Sequence, residues 1–383
     1  MKKQFISFKT EIFPSFDQIT CIEQSFGVRR SVFNETLSYL TKKYKDLKKN
    51  CKKIKKDEIM KYRSVLRKDY KKILQTAPSQ IVETTMEDLQ QSLLSLKKKG
   101  KEILKRTKKK SNTCRISRKN ETNFHYTNST KYLKIVRIGT IKMAESIPYK
   151  FDDNIKLVTI KKDANRYFIS ITMSVNTVEL KSFAKTGKTI AFDWGIKTYL
   201  TGYNGKKFYK FDFDRNIMDN LDRNICRKHK KLSSCKFGSN NYEKARAKLE
   251  ASYMNRRNYQ EDFLKKLAKK LVVKYDNVIF EDLNMSFMLK NKLLAKKASE
   301  RMYYKMKVII SRKFTQSDKS VYLVPKSYPS TQMCSKCGNV LVGSNKIKLH
   351  TRKYECKKCG FTKDRDKNAA KNIFKCRDLT KFL

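Results

Sequence analysis

Four cysteines near the end of the chain have the spacing of a metal site. Cys334 and Cys337 form one C-x2-C pair, and Cys356 and Cys359 form a second after a gap of 18 residues, with a glycine after each pair. This spacing is typical of a structural zinc site in which four thiolates complete a tetrahedron. Two disulfides or a redox-active pair are the alternative.

Acidic residues stand where apolar strands end or where a helix begins. Asp193 ends the stretch TIAFD, Glu281 ends NVIFE, and Asp364 and Asp366 open DRDKNAAKNIF directly after the second cysteine pair. A single acid in such a place is most often a cap or a turn residue. Acidic residues that converge from three separate parts of the chain would suit Mg²⁺. This ion takes oxygen ligands and supports phosphodiester hydrolysis.

The charge of the chain indicates a polyanionic partner. Its 383 residues include 90 Lys and Arg against 36 Asp and Glu, a net charge of +54. Such an excess destabilises a folded chain through self-repulsion unless a polyanion offsets it, so nucleic acid is the expected partner. With 39% hydrophobic residues the chain is not a disordered basic tail. A membrane surface is disfavoured because the basic residues are spread along the whole chain.

The N-terminal residues and the six remaining cysteines indicate the cellular compartment in which the protein is expected. The N-terminal residues MKKQFISFKTEIF carry charge too early for a secretory apolar segment, and no long apolar stretch predicts a membrane span. Six further cysteines are single and scattered, which favours a reducing compartment and therefore disfavours disulfides.

The elements that position these residues follow from the sequence pattern. Residues 1–13 alternate as a strand, Pro14 ends it, and Ser15 with Gln18 forms a capping box for a long helix. A basic helical region continues to about residue 106, and the lysine-rich stretch 97–113 is predicted to be a linker.

Strands dominate the next part of the chain. Residues 114–180 are predicted to form a small β unit with a turn at Asp163-Ala-Asn165, which could pair with the N-terminal strand. Asn204-Gly205 predicts a hairpin, and residues 241–275 predict a long basic helix.

Several segments resemble the TnpB family of transposon-encoded, RNA-guided DNA endonucleases, which is related to type V CRISPR effectors and to eukaryotic and viral Fanzor proteins. AFDWGIKTYLTGYNG, VIFEDLNM, and DRDKNAAKNIF after CSKCG and YECKKCG look like the split RuvC nuclease of that family. Four further segments of this chain also resemble segments of that family: FPSFDQITCIEQSFGVRRSVFNETLSYL, APSQIVETTMEDLQQSL, KARAKLEASYMNRRNYQEDFLKKLAKKLV and YPSTQMCSKCG. The likeness therefore extends in order over nearly the whole chain.

This resemblance implies an α+β multidomain protein. Residues 183–333 and 361–383 would form an RNase H-like (RuvC) nuclease domain, into which a four-cysteine zinc ribbon is inserted at 334–360. Residues 1–20 and 111–182 would form a β-barrel, wedge-like domain, into which a helical recognition domain with its basic linker is inserted at 21–110.

By the same resemblance, Asp193, Glu281 and one aspartate of Asp364-Arg365-Asp366 form a catalytic, magnesium-binding triad, and Cys334, Cys337, Cys356 and Cys359 bind zinc. Asp366 is the predicted third ligand because the family's acid stands two residues before Asn-Ala-Ala, and Asp364 is the alternative.

Trp194 and Asp282 directly follow two of these acids in the sequence and are not predicted to bind the metal. Trp194 departs from the family, which more often has a smaller residue between Asp and Gly, so packing beside the metals could differ. Asp282 is left out of the triad because a strand would turn its side chain to the opposite face from Glu281.

The implied function is Mg²⁺-dependent DNA cleavage guided by an RNA from the element's own locus, on double-stranded DNA with a short flanking motif. Base pairing would supply the sequence, while the protein binds the duplex by shape. Ser79 and Gln80 are candidates for contacts to the flanking motif, although starting a helix is an equally good role for them.

One chain with all three acids predicts a monomer. The implied location is the prokaryotic cytoplasm or nucleoid, or a nucleus or viral factory for a Fanzor-like protein. Two other functions stay open: a non-catalytic zinc-ribbon protein that binds nucleic acid, and a transposase that joins strands. The first explains the charge and the cysteines but gives no reason for the three acids.

Overall fold

The computed structural model describes residues 3–44, 59, 62–69, 77–99, 112–117, 124–126, 131–146, 155–176, 183–195, 198–283, 295, 301–348 and 351–382. Most of the predicted linker 97–113, together with Cys51 and His350, lies outside these residues. The chain divides into two compact units, Met1–Thr177 and Val178–Leu383. No described helix has the length and apolar composition needed to cross a membrane.

The first unit is built on a seven-stranded sheet in the order β2-β6-β7-β1-β5-β4-β3. Its strands are β1 (Lys3–Phe13), β2 (Thr113–Ser117), β3 (Phe124–Tyr126), β4 (Tyr132–Ile135), β5 (Gly139–Met143), β6 (Ile155–Asp163) and β7 (Arg166–Asn176). β1 pairs antiparallel with β7 from Lys3 to Ile12. The predicted pairing of the N-terminal strand with the later β unit is therefore confirmed.

The turn between β6 and β7 also agrees with its prediction. Ala164 and Asn165 both have positive φ angles, 51° and 63°, as a tight two-residue hairpin turn requires. Among the described residues, β2 and β3 occupy the two ends of the strand order, so closure of this sheet into a barrel stays a prediction.

Three helices accompany this sheet: α1 (Phe16–Lys43), α2 (Arg63–Asp69) and α3 (Gln80–Lys99). The predicted capping box of α1 is present, because the Ser15 side chain accepts from Gln18 N while the Gln18 side chain accepts from Ser15 N. α3 packs against α1 and β2 and buries Ile81, Met86 and Leu89.

The second unit contains a six-stranded sheet in the order β10-β9-β8-β11-β12-β15. Its strands are β8 (Thr189–Trp194), β9 (Leu200–Tyr203), β10 (Phe208–Phe211), β11 (Asn277–Glu281), β12 (Ser320–Val324) and β15 (Thr380–Lys381), and a separate hairpin pairs β13 (Lys353–Glu355) with β14 (Thr362–Asp364). β8, β11 and β12 are parallel to one another, and β9 and β10 are antiparallel to their neighbours. The predicted hairpin at Asn204-Gly205 joins β9 to β10, with φ of 92° at Gly205.

Helices cover both faces of this sheet. They are α4 (Arg215–Ser233), α5 (Asn240–Lys274), α6 (Tyr303–Thr315) and α7 (Arg365–Lys375). On one face, Phe192 and Phe280 belong to a large core with residues of α5 and α6. On the other face, Ala191 and Ile279 pack with Ile373 of α7. The sequence pattern predicted helices α5 and α7. It did not predict helices α4 and α6 or strand β12.

A buried ion pair holds the starts of the central strands together. Lys319, whose side chain is fully buried, lies 2.9 Å from Asp276 Oδ1 and donates to the carbonyls of Ala184 and Val272. Asp276 also accepts from the backbone N–H groups of Thr186 and Gly187 at 2.7 and 2.6 Å. Both charged groups of this ion pair therefore have hydrogen-bond partners as well as each other, as buried charges require.

Candidate functional site

Asp193 and Glu281 lie at the same level of two neighbouring parallel strands. Phe192 of β8 pairs with Phe280 of β11, and the two acids are the next residues along each strand. Because side chains alternate along a strand, both acids lie on the face that Ala191 and Ile279 share with α7. Asp193 is only 6% exposed.

The two candidate aspartates of α7 have different surroundings. Asp364 is the exposed N-cap residue, and its Oδ1 accepts from Lys367 N at 3.0 Å. Asp366 is in the first turn, its side chain is 13% exposed, and its oxygens lie 3.5 Å from Arg352 Nη1 and 3.6 Å from Arg365 Nε. Asp364 thus already has the role of a cap.

The acids influence one another electrostatically. Burial raises the pKa of Asp193 well above its usual value, and the negative charges of Glu281 and Asp366 raise it further, against the opposing charge of Arg365. Burial also raises the pKa of Glu281, while a hydrogen bond from Ser330 lowers it. Like charges near one another in a buried place disfavour ionisation unless a cation is present.

The donor set of these acids fits Mg²⁺, which takes carboxylate oxygens. Among the described residues, their oxygens are not all within 4.8 Å of one another, whereas the sulfurs of the four cysteines are. Mg²⁺ does not require an all-protein cage, because it usually keeps several waters and binds substrate phosphates as well.

Ser330 orients Glu281. Its Oγ donates to Glu281 Oε1 at 2.7 Å, and the side chain is buried in the segment that enters the first cysteine pair. Asn372 of α7 donates to the carbonyls of Ser330 and Met333 at 2.7 and 2.6 Å. Asn368 donates to Met333 O and accepts from Ser335 N at 3.0 Å. These fully buried asparagines therefore connect α7 to both sides of Cys334.

The geometry of the four cysteines fits a zinc ion. Cys334 Sγ lies 3.8 Å from Cys359 Sγ, and Cys337 Sγ lies 3.6 Å from Cys356 Sγ. A tetrahedron with Zn–S bonds of about 2.3 Å places its sulfurs about 3.8 Å apart. A disulfide requires about 2.05 Å, so the alternative of two disulfides does not describe this arrangement.

The glycines after the cysteine pairs form tight turns. Gly338 and Gly360 have φ angles of 76° and 64°, and their N–H groups donate to the carbonyls of Cys334 and Cys356, each at 2.9 Å. A residue with a Cβ would be strained in this conformation. The second turn leads through β14 directly to Asp364 and α7.

Trp194 and Asp282 lie away from the carboxylates. Trp194 belongs to the core on the opposite face, where its ring packs against that of Tyr303 with centroids 5.0 Å apart. Asp282 lies 3.4 Å from Lys307 Nζ and 3.6 Å from Lys326 Nζ. The large residue between Asp193 and Gly195 therefore fills the core on the face away from the acids.

Ser79 and Gln80 lie at the start of α3. Gln80 is the first residue of the helix, and Ser79 O accepts from Val82 N at 3.3 Å. Both residues are partly exposed, whereas Ala77 and Pro78 are buried. This position fits the helix-start role and leaves the role in binding a flanking motif as a prediction.

Sequence reasoning missed Ser330, Asn368, Asn372 and Tyr303, whose hydroxyl donates to the backbone carbonyl of Glu281. One signal was present: Asn368 and Asn372 are four residues apart on an otherwise apolar helix face with Ala369 and Ile373. Ser330 lies in the family-like segment YPSTQMCSKCG, but its contact with Glu281 had no local signal because the two residues are 49 positions apart.

Three family models match successive parts of the chain. A "Helix-turn-helix domain" matches residues 1–49, a "Probable transposase" matches 169–292, and a "Cas12f1-like, TNB domain" matches 303–373. A "Putative RNA-guided DNA endonuclease" of Streptomyces pristinaespiralis is 26% identical over 377 residues, 96% of this chain and 88% of that protein. A "TnpB-like protein" of Acanthamoeba polyphaga mimivirus is 25% identical over 248 residues, 61% of this chain and 45% of that protein. The chain is therefore similar to TnpB-like proteins over most of its length.

Other comparisons agree with this similarity. A "Putative RNA-guided DNA endonuclease" of Escherichia coli (strain K12) is 26% identical to this chain over 239 residues, 57% of this chain and 56% of that protein. The fold resembles that of a chain in a solved Cas12f1–sgRNA–target DNA complex, with a TM-score of 0.59 over 97% of this chain and 98% of the other. At 12% identity this likeness concerns the fold alone.

Proposed function

We propose that this protein is a member of the TnpB family and an RNA-guided DNA endonuclease whose activity depends on divalent cations held by Asp193, Glu281 and Asp366. The observation that carries the proposal is that β8, β11 and α7 bring three acids to one face of a sheet, where burial and mutual charge raise the pKa of Asp193. Bound cations would offset this repulsion.

Each acid has a defined position for such chemistry. Asp193 is fixed by β8, Glu281 is oriented by the hydroxyl of Ser330, and Asp366 is placed by the first turn of α7. Divalent cations bound there would activate an attacking water and stabilise the leaving oxygen of a phosphodiester. The cysteine cluster would hold zinc as a structural element, since four thiolates leave no open position for a substrate.

The strand order supports an RNase H-like (RuvC) fold for this part of the chain. Three antiparallel strands, β10-β9-β8, continue into the parallel strands β11 and β12, and the acids stand on the two central strands. We assign residues 183–333 and 361–383 to the nuclease domain and 334–360 to the zinc ribbon. Residues 1–20 and 111–182 remain proposed as a barrel around the helical insertion 21–110.

The proposed partners are a guide RNA and double-stranded DNA. The net charge of +54 suits binding to phosphates, and two relatives carry the words RNA-guided DNA endonuclease in their names. Base pairing would provide the sequence specificity, and Ser79 and Gln80 are proposed to contact the flanking motif. A monomer would be sufficient, acting in a cytoplasm or nucleoid, or in a nucleus or viral factory.

Guide-programmed cleavage tests this function. RNA that co-purifies with the protein is sequenced, its guide is replaced, and cleavage of a matching duplex is measured with Mg²⁺. The wild type is expected to cut the new target, and the triple variant Asp193→Ala, Glu281→Ala, Asp366→Ala is expected not to. Binding without metal-dependent turnover would instead indicate a non-catalytic zinc-ribbon protein, and joined products would indicate a transposase.

A further inference from the structure

A row of side chains leads from the acids to the edge of the six-stranded sheet. Asp193 of β8 is paired with Thr201 of β9, which is paired with Lys210 of β10. Paired residues point to the same face, so Lys210 lies on the face of the acids. Phe208, two residues before Lys210, lies on this face as well. Neighbouring strands are about 4.8 Å apart, which places the Cα of Lys210 about 10 Å from that of Asp193.

Two further lysines approach this edge from outside the sheet. Lys363 Nζ of β14 lies 4.4 Å from the centroid of the Phe208 ring, and Lys367 Nζ of α7 lies 5.8 Å from it. The Phe208 ring also packs on Tyr203, with centroids 4.6 Å apart, and Tyr203 contacts Phe374 of α7. The aromatic ring therefore holds two ammonium groups close together at the sheet edge, next to the helix that carries Asp366.

These positive charges have no anionic partner among the residues that the structure describes. The ammonium groups of Lys210, Lys363 and Lys367 make no ion pair or hydrogen bond there, whereas Lys307 and Lys319 of the same unit pair with aspartates. Several like charges in a small area repel one another, and an anionic ligand removes that cost. A chain of phosphates suits a row of this kind.

We infer that Lys210, Lys363 and Lys367 form a binding site, the edge site, for the phosphate backbone of the DNA that is cleaved. The inference rests on the proposed nuclease function and adds a substrate contact to it. Lysine binds phosphate without discriminating bases, which fits an enzyme whose guide supplies the sequence. Phe208 acts through the lysines, because its ring fixes where their ammonium groups lie.

Two matched double variants test the edge site in the full-length protein. Lys363→Gln with Lys367→Gln removes two charges from the site, and Lys265→Gln with Lys269→Gln removes two exposed charges from α5 on the other face of the sheet. Binding of a labelled single-stranded DNA oligonucleotide is measured as a function of salt concentration. The edge-site variant is expected to bind about tenfold more weakly and to reduce the magnitude of the salt slope by about 1.4, which corresponds to two phosphates.

Further measurements separate this inference from the nuclease proposal. In guided cleavage, the edge-site variant is expected to raise KM for the target while kcat changes less than twofold, and Lys363→Arg with Lys367→Arg is expected to behave as wild type. Lys210→Gln, at an exposed position of the edge strand β10, is expected to weaken binding in the same direction. Equal losses in the edge-site and α5 variants, or a loss seen with RNA oligonucleotides alone, would overturn the edge site. Absence of cleavage by the wild type would overturn the nuclease proposal and leave the oligonucleotide result to decide the edge site.

Discussion

Ser330 Oγ donates to Glu281 Oε1 over 2.7 Å, and this contact joins the segment that enters the cysteine cluster to an acid at the end of β11. The carbonyl of Ser330 accepts in turn from Asn372 of α7, the helix that carries Asp366. One hydrogen-bonded network therefore includes the cysteine cluster, the helix and the central strand. A change in any of these elements is expected to affect the others.

Replacing Ser330 by alanine is expected to raise the Mg²⁺ concentration needed for half-maximal cleavage about tenfold, because groups that orient a metal ligand contribute about that much to metal affinity. Ser330→Thr keeps the hydroxyl and is expected to retain most of the wild-type metal requirement. The measurement is a titration of the initial cleavage rate with Mg²⁺. A wild-type requirement in Ser330→Ala would contradict the role of this hydroxyl.

Replacing Asn372 by alanine is expected to lower the free energy of unfolding by about 2 kcal/mol, because the Ser330 carbonyl loses its donor and the Met333 carbonyl keeps only the one from Asn368. Urea unfolding of the full chain provides the measurement. The exposed Asn241 of α5 gives the control, and Asn241→Ala is expected to stay within about 0.5 kcal/mol of the wild type. Similar values for the two variants would show that the asparagine contacts contribute little.

The purified protein is expected to contain about one equivalent of zinc, since four free thiols stand at tetrahedral spacing. Cys337→Ser is expected to lose the metal and to lower the thermal midpoint by about 5 °C or more, because zinc binding contributes to folding. Cys226→Ser, at an exposed position of α4, is the control variant. Metal analysis that finds no zinc in the wild type, or equal midpoints for the two variants, would argue against a zinc site.

Asp276 makes the stability of the second unit depend on pH. Burial alone would raise the pKa of Asp276, but Lys319 and the N–H groups of Thr186 and Gly187 lower it to about 2. A carboxyl with a lowered pKa stabilises the fold above its unfolded value of about 4, and this contribution is lost as the pH falls towards 2. The loss is about 2 kcal/mol for a shift of this size.

The check is urea unfolding of the wild type and of Asp276→Asn between pH 2 and pH 6. The free energy of unfolding of the wild type is expected to exceed that of the variant at pH 6, and the difference is expected to shrink as the pH falls below 4. A difference that does not change with pH would mean that this carboxyl is not responsible.

Much of the fold was predictable because the signals were local. The capping box at Ser15, the hairpin at Asn204 and the turn at Asp163 depend on neighbouring residues, and each is present. β12 was missed although SVYLV is apolar, and α6 was missed although its buried residues recur with helical spacing. The pairing of Phe192 with Phe280 joins residues 88 apart, and no local pattern encodes such a contact.

The candidate site was predictable to a different extent. Residue type and spacing identified the four cysteines, and the structure places their sulfurs together. The positions of Asp193, Glu281 and the Asp364/Asp366 pair at strand ends and a helix start drew attention to them, while the catalytic role and the choice of Asp366 came from family resemblance and stay predictions. The hydroxyl of Ser330, the amides of Asn368 and Asn372, and the ring of Phe208 under two lysines depend on tertiary packing. Such contacts follow from the three-dimensional arrangement and have no periodic pattern in the sequence.

The two aspartates at the start of α7 are expected to differ in function. Asp364→Ala removes the N-cap and should cost about 1 kcal/mol of stability while guided cleavage remains within a few-fold of wild type. Asp366→Ala should abolish cleavage with little change in stability. Cleavage rates and thermal midpoints of both variants decide between them, and the reverse pattern would make Asp364 the functional acid.

The most direct test of the central claim measures binding of a divalent cation, with Mn²⁺ as a spectroscopic substitute for Mg²⁺. Electron paramagnetic resonance gives the Mn²⁺ affinity of the wild type and of Asp193→Asn, Glu281→Gln and Asp366→Asn, with Asp282→Asn as control. We predict that each of the first three variants weakens binding at least about tenfold and that the control does not. Wild-type affinity in all three variants would contradict the claim that these carboxylates hold a shared metal centre.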